Sequence, residues 1–275
     1  MSNHLLRLLR RNVSKQFAKS GVCSVPASLL TAVSARNRMK LLALESLVGG
    51  AGATTLVANL AAALRSGDAH VAVVDCCAQN HLAAHFGQPL GDDMDLQQTF
   101  LAASGVIVAP FGVDKDQQPA EQQQKRFDRL LQQLQELQEY KVDWLLINLP
   151  TGFSFAPSID LPKETSCLLV LEPEPRCYMN LKRWQRFESR PIQLRYRAIM
   201  NKVAPHLELP RDIFDLCRAE LDPDWLLPLY INRDQHIPEA LATQQLLYEY
   251  TLGAQGNTDI AELAHWLQEA AESEL

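Results

Sequence analysis

Residues 46–55 read Ser-Leu-Val-Gly-Gly-Ala-Gly-Ala-Thr-Thr. Gly49, Gly50 and Gly52, trailed by Thr54 and Thr55, have the make-up of a phosphate-binding turn. Such a turn needs glycines so that backbone N–H groups can converge on an anion without side-chain clash. It needs a helix start, whose free N–H groups and dipole favour negative charge. It usually adds a lysine for the phosphates and a Ser or Thr hydroxyl for magnesium. The hydroxyls are present, but the lysine positions hold Val48 and Ala53.

The flanking residues supply the expected context. Leu41-Leu42-Ala43-Leu44 is a short apolar run that reads as a buried strand. Leu56 to Leu64 reads as a helix with Leu56, Leu60 and Leu64 on one face. His70 to Asp75 supplies a second strand, completing a βαβ unit. Further strands are predicted at 106–111, 144–149, 166–171, 198–203 and 225–231. Alternating strands and helices imply an α/β fold with a single doubly wound, mostly parallel sheet. A Gly-rich strand-to-helix turn that binds nothing accounts for the glycines equally well, so the fold follows more firmly than the ligand.

Several motifs, in order along the chain, carry a resemblance. Val48-Gly49-Gly50-Ala51-Gly52-Ala53-Thr54-Thr55 resembles the deviant Walker A motif of the ParA/MinD ATPases, Lys-Gly-Gly-x-Gly-Lys-Thr-Thr, with both lysines replaced. Asp75-Cys76-Cys77 resembles that family's second-strand Asp-x-Asp, with Cys77 at the second aspartate. Leu145 to Gly152 resembles its Walker B segment, with Asn148 in place of aspartate. Met200-Asn201-Lys202 resembles the strand end whose Asn contacts adenine. Asp234 to Ala240, followed by Tyr248-Glu249-Tyr250, resembles the closing loop and helix. Within this P-loop NTPase group, the lysine-poor loop and the segment Leu227 to Asp234 are most similar to the accessory ATPase of bacterial cellulose synthase operons, the BcsQ/YhjQ type. The resemblance spans roughly residues 41–270.

It implies nucleotide contacts at Gly49, Gly50, Ala51, Gly52, Ala53, Thr54, Thr55, Asn201 and Pro228, with Thr54 on magnesium if nucleotide binds. It implies ATP or ADP with magnesium, held weakly or not at all. Two absent lysines remove about 3 to 6 kcal/mol of charge-assisted hydrogen bonding to phosphate. Family members use the residue at Val48 to reach across a dimer interface, and Cys77 and Asn148 replace carboxylates that orient water and hold magnesium. Phosphoryl transfer is mostly positioning and charge neutralisation, so these losses imply a degenerate ATPase. Asp75 and Glu45 are the acidic residues nearest to taking over.

The resemblance further implies a homodimer, or a heterodimer with a related subunit, that binds small cellulose-secretion accessory proteins and the membrane synthase from the cytoplasmic side, peripheral to the inner membrane. The expected function is that of a regulatory pseudo-ATPase subunit of cellulose biosynthesis. The alternatives are a slow Mg-ATPase localisation switch and a partition-like DNA-associated protein.

Composition bears on these classes. The 275 residues, 47% hydrophobic, suffice for one sizeable core with an appendage. No apolar run approaches the roughly 18 residues of a membrane span, so no transmembrane helix is expected. The six cysteines form no Cys-x-x-Cys pair, which argues against zinc and fits a reducing cytosol. His81 and His85 share a helix face, and a packed or solvated role is expected rather than a metal. No Gly-x-Ser-x-Gly segment occurs, so a covalent hydrolase is not expected.

Charge divides the chain. Residues 1–40 carry eight basic and no acidic residues, while residues 41–275 hold 18 basic and 32 acidic, a balance of −14. Leu5, Leu9, Val13 and Phe17 recur on one face, and Arg7, Arg10, Arg11, Lys15 and Lys19 lie on the other. The expected domains are therefore a basic amphipathic helical arm at 1–40 and a P-loop NTPase-like domain at 41–275. The arm suits an anionic membrane or a partner. It also suits the acidic domain itself, nucleic acid, or an organelle transit peptide, though the acidic body makes nucleic acid the weakest partner. Arg10 and Arg11 interrupt the apolar stretch that a secretory signal needs.

Overall fold

A computed structural model describes residues 39–67, 69–88, 99–112, 119–136, 141–186 and 194–273. The basic arm therefore lies outside the described residues except for its last two, Met39 and Lys40, the second of which opens the first strand. The strands are β1 (Lys40–Ser46), β2 (Val71–Asp75), β3 (Phe100–Leu101), β4 (Ile107–Pro110), β5 (Trp144–Asn148), β6 (Ser166–Leu171), β7 (Arg195–Val203) and β8 (Leu226–Asn232). They form one sheet in the order β3-β4-β2-β5-β1-β6-β7-β8. Every pairing is parallel except β3 with β4. The predicted strands agree with these to within a few residues. The two-residue β3 was not foreseen, being too short for any periodicity to show.

Helix α1 (Ala53–Ser66) follows β1, and α2 (Ala120–Gln135) precedes β5. Helices α3 (Pro175–Gln185) and α4 (Glu208–Glu220) follow β6 and β7. Two short helices, α5 (His236–Ala242) and α6 (Leu247–Tyr250), lead into the long α7 (Gln255–Ser273). Helix α1 starts three residues before the predicted Leu56, because left-handed Gly52 closes the turn and accepts the Leu56 N–H at 2.9 Å. The polar, Gln-rich stretch after Pro119 is helical from Ala120.

Each face of the sheet carries a helical layer, as period-two strands buried on both sides require. Leu42 and Leu44 of β1 pack with Leu56, Leu60 and Leu64 of α1 and Leu263 of α7. Leu41 and Ala43 turn the other way, towards Phe127, Leu131 and Leu134 of α2. On that same side, Leu169 and Leu171 of β6 meet Leu181 and Trp184 of α3 and Ile213 of α4. Sheet order places β1 between β5 and β6, so the turn after β1 opens at the carboxyl edge where the winding reverses. Open α/β sheets bind their ligands at such points.

Candidate nucleotide-binding site

The turn from β1 to α1 is held by side chains that grip its carbonyls. Asn180 Nδ2 donates to Leu47 O at 3.0 Å, and Asn201 Nδ2 donates to Ala51 O at 2.7 Å. Lys202 Nζ donates to Gly50 O. In a trans peptide the next N–H points away from the carbonyl, so the N–H groups of Val48, Ala51 and Gly52 face away from these three side chains. Gly50 and Gly52 have φ of +83° and +92°, the left-handed region that glycine enters at no steric cost. A Cβ on Gly49 or Gly50 would meet nothing within 4 Å, so that side of the turn is open. A Cβ on Gly52 would come within 2.5 Å of Asn201 Nδ2.

The start of α1 has no side-chain cap. Its first N–H groups therefore remain available to an anion. Val48 and Ala53 are buried in the apolar core, and neither offers charge to the opening.

Behind the loop, the ends of β2 and β5 and the first turn of α1 form a closed polar knot. Asn148 Nδ2 donates to Asp75 Oδ1 at 2.8 Å and to Thr54 Oγ1 at 3.1 Å, and lies 3.4 Å from Cys77 Sγ. Asp75 also accepts the Cys77 N–H at 3.1 Å and the Leu82 N–H at 3.0 Å. Burial raises the Asp75 carboxyl above its ordinary range, and those same hydrogen bonds hold it back. Burial, reinforced by the neighbouring Asp75 charge, pushes the Cys77 thiol up, so it stays neutral near pH 7. A neutral thiol is neither a base nor a metal ligand.

Glu45 is committed elsewhere. One carboxylate oxygen accepts both the N–H and the hydroxyl of Ser154, at 2.8 and 2.7 Å. Ser154 Oγ in turn accepts from Trp184 Nε1 at 2.7 Å. The other oxygen, Oε2, has no hydrogen-bond partner among the described residues. Burial pushes the Glu45 carboxyl up to about 7, against the two Ser154 hydrogen bonds that lower it. Of the acidic residues expected to take over, the structure thus joins Asp75 to Thr54 and Asn148, whereas the hydrogen bonds of Glu45 go to Ser154.

Other residues sort themselves by position. Thr55 Oγ1 lies 3.4 Å from His85 Nε2, and burial drives that imidazole down to about 4. His81 is exposed while His85 is buried, on a 3-10 turn at His81–Phe86. Among the described residues no cluster of His, Cys, Asp or Glu could hold a metal ion. Pro228 does not join the loop. It lies inside edge strand β8, where Leu226 is level with Ala198 and Tyr230 with Met200, so β8 carries extra residues there. Proline donates nothing to a ladder, which suits a bulge on an edge strand. Three contributors escaped the sequence reading: Asn180, the gripping role of Lys202, and Asn59, whose Oδ1 takes the Leu247 N–H at 2.8 Å and ties α6 to α1.

A family model described as cellulose biosynthesis protein BcsQ matches residues 39–267. The chain belongs to the BcsQ family. It is 28% identical over 244 residues to the cellulose biosynthesis protein BcsQ of Escherichia coli, covering 83% of this chain and 94% of that one. It is 24% identical over 242 residues to the Salmonella typhimurium protein of the same description, again over 83% and 94%. Among solved structures it resembles the septum site-determining protein MinD of Pyrococcus horikoshii complexed with Mg-ADP, with TM-score 0.60 and 20% identity over 86% of this chain and 99% of that one. The MinC:MinD cell division complex of Aquifex aeolicus gives 0.60 and 19%, over 84% and 96%. These likenesses show that the BcsQ-family chain has the ParA/MinD-type P-loop NTPase fold.

Proposed function

We propose that this BcsQ-family protein is an accessory, regulatory subunit of bacterial cellulose biosynthesis that binds nucleotide weakly and acts through dimerisation and partner binding rather than through turnover. One observation carries the reading: the residues where catalysis would be expected are engaged with one another. Asn148 spends its amide on Asp75 and Thr54, and Cys77 is a neutral thiol.

The residues present fit a nucleotide's phosphates. The turn is open at Gly49 and Gly50, its glycines hold left-handed conformations, and the helix start is uncapped. Backbone N–H groups from Gly49 to Thr55 would hold the phosphates, and Asn201 would sit beside the base. Thr54 would offer its hydroxyl to magnesium after loosening from Asn148. A bound Mg-nucleoside triphosphate supplies a transferable phosphoryl group and, equally, a ligand whose presence can be read as a signal. Asp75 is the carboxylate nearest such a metal, and its ties to two backbone N–H groups restrain it.

By its resemblance to the ParA/MinD family, the partner-binding state would be a dimer over the loops. The basic arm, residues 1–38 of which lie outside the described structure, would add a contact to the membrane or to a partner. No helix among the described residues is long and apolar enough to cross a membrane.

The test is a thermal-shift titration with Mg-ATP alongside phosphate release and light scattering. A modest upward shift with dimerisation and no sustained turnover is expected. Sustained phosphate release at a fixed stoichiometry would replace this reading with that of a slow ATPase switch. Liposome flotation with and without residues 1–40 tests the arm.

A further inference from the structure

We propose that Lys202 is the phosphate-binding cation of this loop, standing in from β7 for the lysines that Val48 and Ala53 replace, and that Glu172 competes with bound phosphate for it. The proposal rests on the nucleotide reading above and names the residue that would make binding possible.

The geometry supports it in three ways. First, Asn201 and Lys202 are consecutive yet both side chains reach the same loop, one on Ala51 O and the other on Gly50 O. Neighbouring residues of a regular strand point to opposite faces. Lys202 escapes that alternation because its φ is +56°, and β7 and β8 slip in register between Met200 and Val203. A left-handed lysine is unfavourable and persists only where its surroundings demand it. Here the strain delivers an ammonium group to the open turn.

Second, the ammonium can be reached. The Lys202 side chain is 36% exposed, and its Cε lies 3.8 Å from where a Cβ on Gly52 would be. It sits on the carbonyl side of the turn, opposite the N–H groups of the cradle, so its flexible stem would have to swing past Gly50, where an added Cβ would meet nothing within 4 Å, to reach a phosphate held there.

Third, its partner is replaceable. Glu172 Oε1, at the end of β6, lies 3.4 Å from Lys202 Nζ. Glu172 is only 13% exposed, but 3.4 Å is long for a charge-assisted bond, so the contact is a weak one. A polyphosphate carries more charge and more acceptors and forms stronger, shorter charge-assisted bonds. Phosphate would therefore displace Glu172 from Lys202, and the freed carboxylate beside the turn would limit the affinity.

The test is calorimetric titration of Mg-ATP into the full chain and into Lys202→Met, Lys202→Arg and Glu172→Gln, each checked for folding by circular dichroism. Lys202→Met is expected to weaken binding about tenfold to a hundredfold, the usual effect of one charge-assisted bond to phosphate. Lys202→Arg should keep most of the affinity, and Glu172→Gln should raise it severalfold. Unchanged ATP binding in both Lys202→Met and Glu172→Gln would overturn the assignment and leave the nucleotide reading intact. Absence of binding in the full chain and in Glu172→Gln alike would overturn both. If Lys202→Met fails to fold, Glu172→Gln decides by itself: no gain in affinity removes the competition and the proposal with it.

Discussion

Asn148 Nδ2 donates to Asp75 Oδ1 at 2.8 Å, joining the end of β5 to the end of β2 beneath the loop. An aspartate at 148 would bring a second carboxylate to that distance. The amide is therefore more than a lost metal ligand. It gives the Asp75 carboxyl a hydrogen-bond donor where an aspartate would repel it, so the ends of β2 and β5 stay joined without a metal.

Asn148→Asp is accordingly expected to destabilise the protein by about 1 to 3 kcal/mol in chelator, since it replaces a donor with a like charge. Millimolar magnesium should restore part of the loss by bridging the carboxylates. Thermal melts with EDTA and with MgCl2 measure both effects. Equal melting temperatures for wild type and variant in EDTA would show that the Asp75 contact contributes nothing.

Glu45 makes stability depend on pH. Its folded-state value of about 7 exceeds the ordinary 4.5, so between those values the folded chain holds a proton that the unfolded chain has released. Its contribution is complete below pH 4.5 and is lost as pH rises through 7. The span corresponds to a quantity on the order of 3 kcal/mol for this buried group. Denaturant titrations from pH 5 to 8 should show the decline, and Glu45→Gln should flatten it. A Glu45→Gln curve parallel to wild type would refute the assignment.

The loop glycines differ in what they tolerate. Gly52→Ala combines φ of +92° with a Cβ within 2.5 Å of Asn201 Nδ2. It should cost at least the roughly 1 to 2 kcal/mol of a left-handed L-residue and should dislodge Asn201 from Ala51 O. Gly49→Ala meets nothing within 4 Å and should fall within about 0.5 kcal/mol of wild type. Urea midpoints at constant slope give the comparison. Similar losses at both positions would contradict it.

Restoring the missing charge at Val48 should harm the fold before it helps a ligand. Val48 is 4% exposed and packs with Leu47, Ala51 and Leu171. Val48→Lys places an ammonium in that environment and is expected to lower stability by about 1 to 3 kcal/mol. A melting temperature unchanged from wild type would mean that the new side chain escapes to solvent.

Much of the architecture was legible because it depends on local rules. Leu56, Leu60 and Leu64 recur at helical spacing, and all three are buried in α1. Ser166–Leu171 reads as an uninterrupted apolar run and forms β6 with the predicted bounds. The helix start at Ala53 was placed late, because Ala and Thr carry little periodicity of their own. Asn201 was expected beside a base from its motif, and its hydrogen bond to Ala51 O was not foreseen. Lys202 was quoted with it yet assigned no role, because nothing local signals a left-handed strand residue. Pro228 was quoted for its familiar segment, and the irregular register of β8 around it could not be read from that segment.

The residue order alone settles that a strand, a glycine turn and a helix follow one another, that the turn lacks its lysines, and that the chain belongs to the BcsQ family. Propensity and hydrophobic period act over a few residues, and short-range physics suffices for them. The partners of the polar groups came only with the tertiary structure. Asn148 meets Asp75 across 73 residues, and Lys202 meets Gly50 across 152. Those meetings depend on β2 lying beside β5, on β6 lying between β1 and β7, and on the register of each parallel pair, a collective outcome of packing that no single segment encodes.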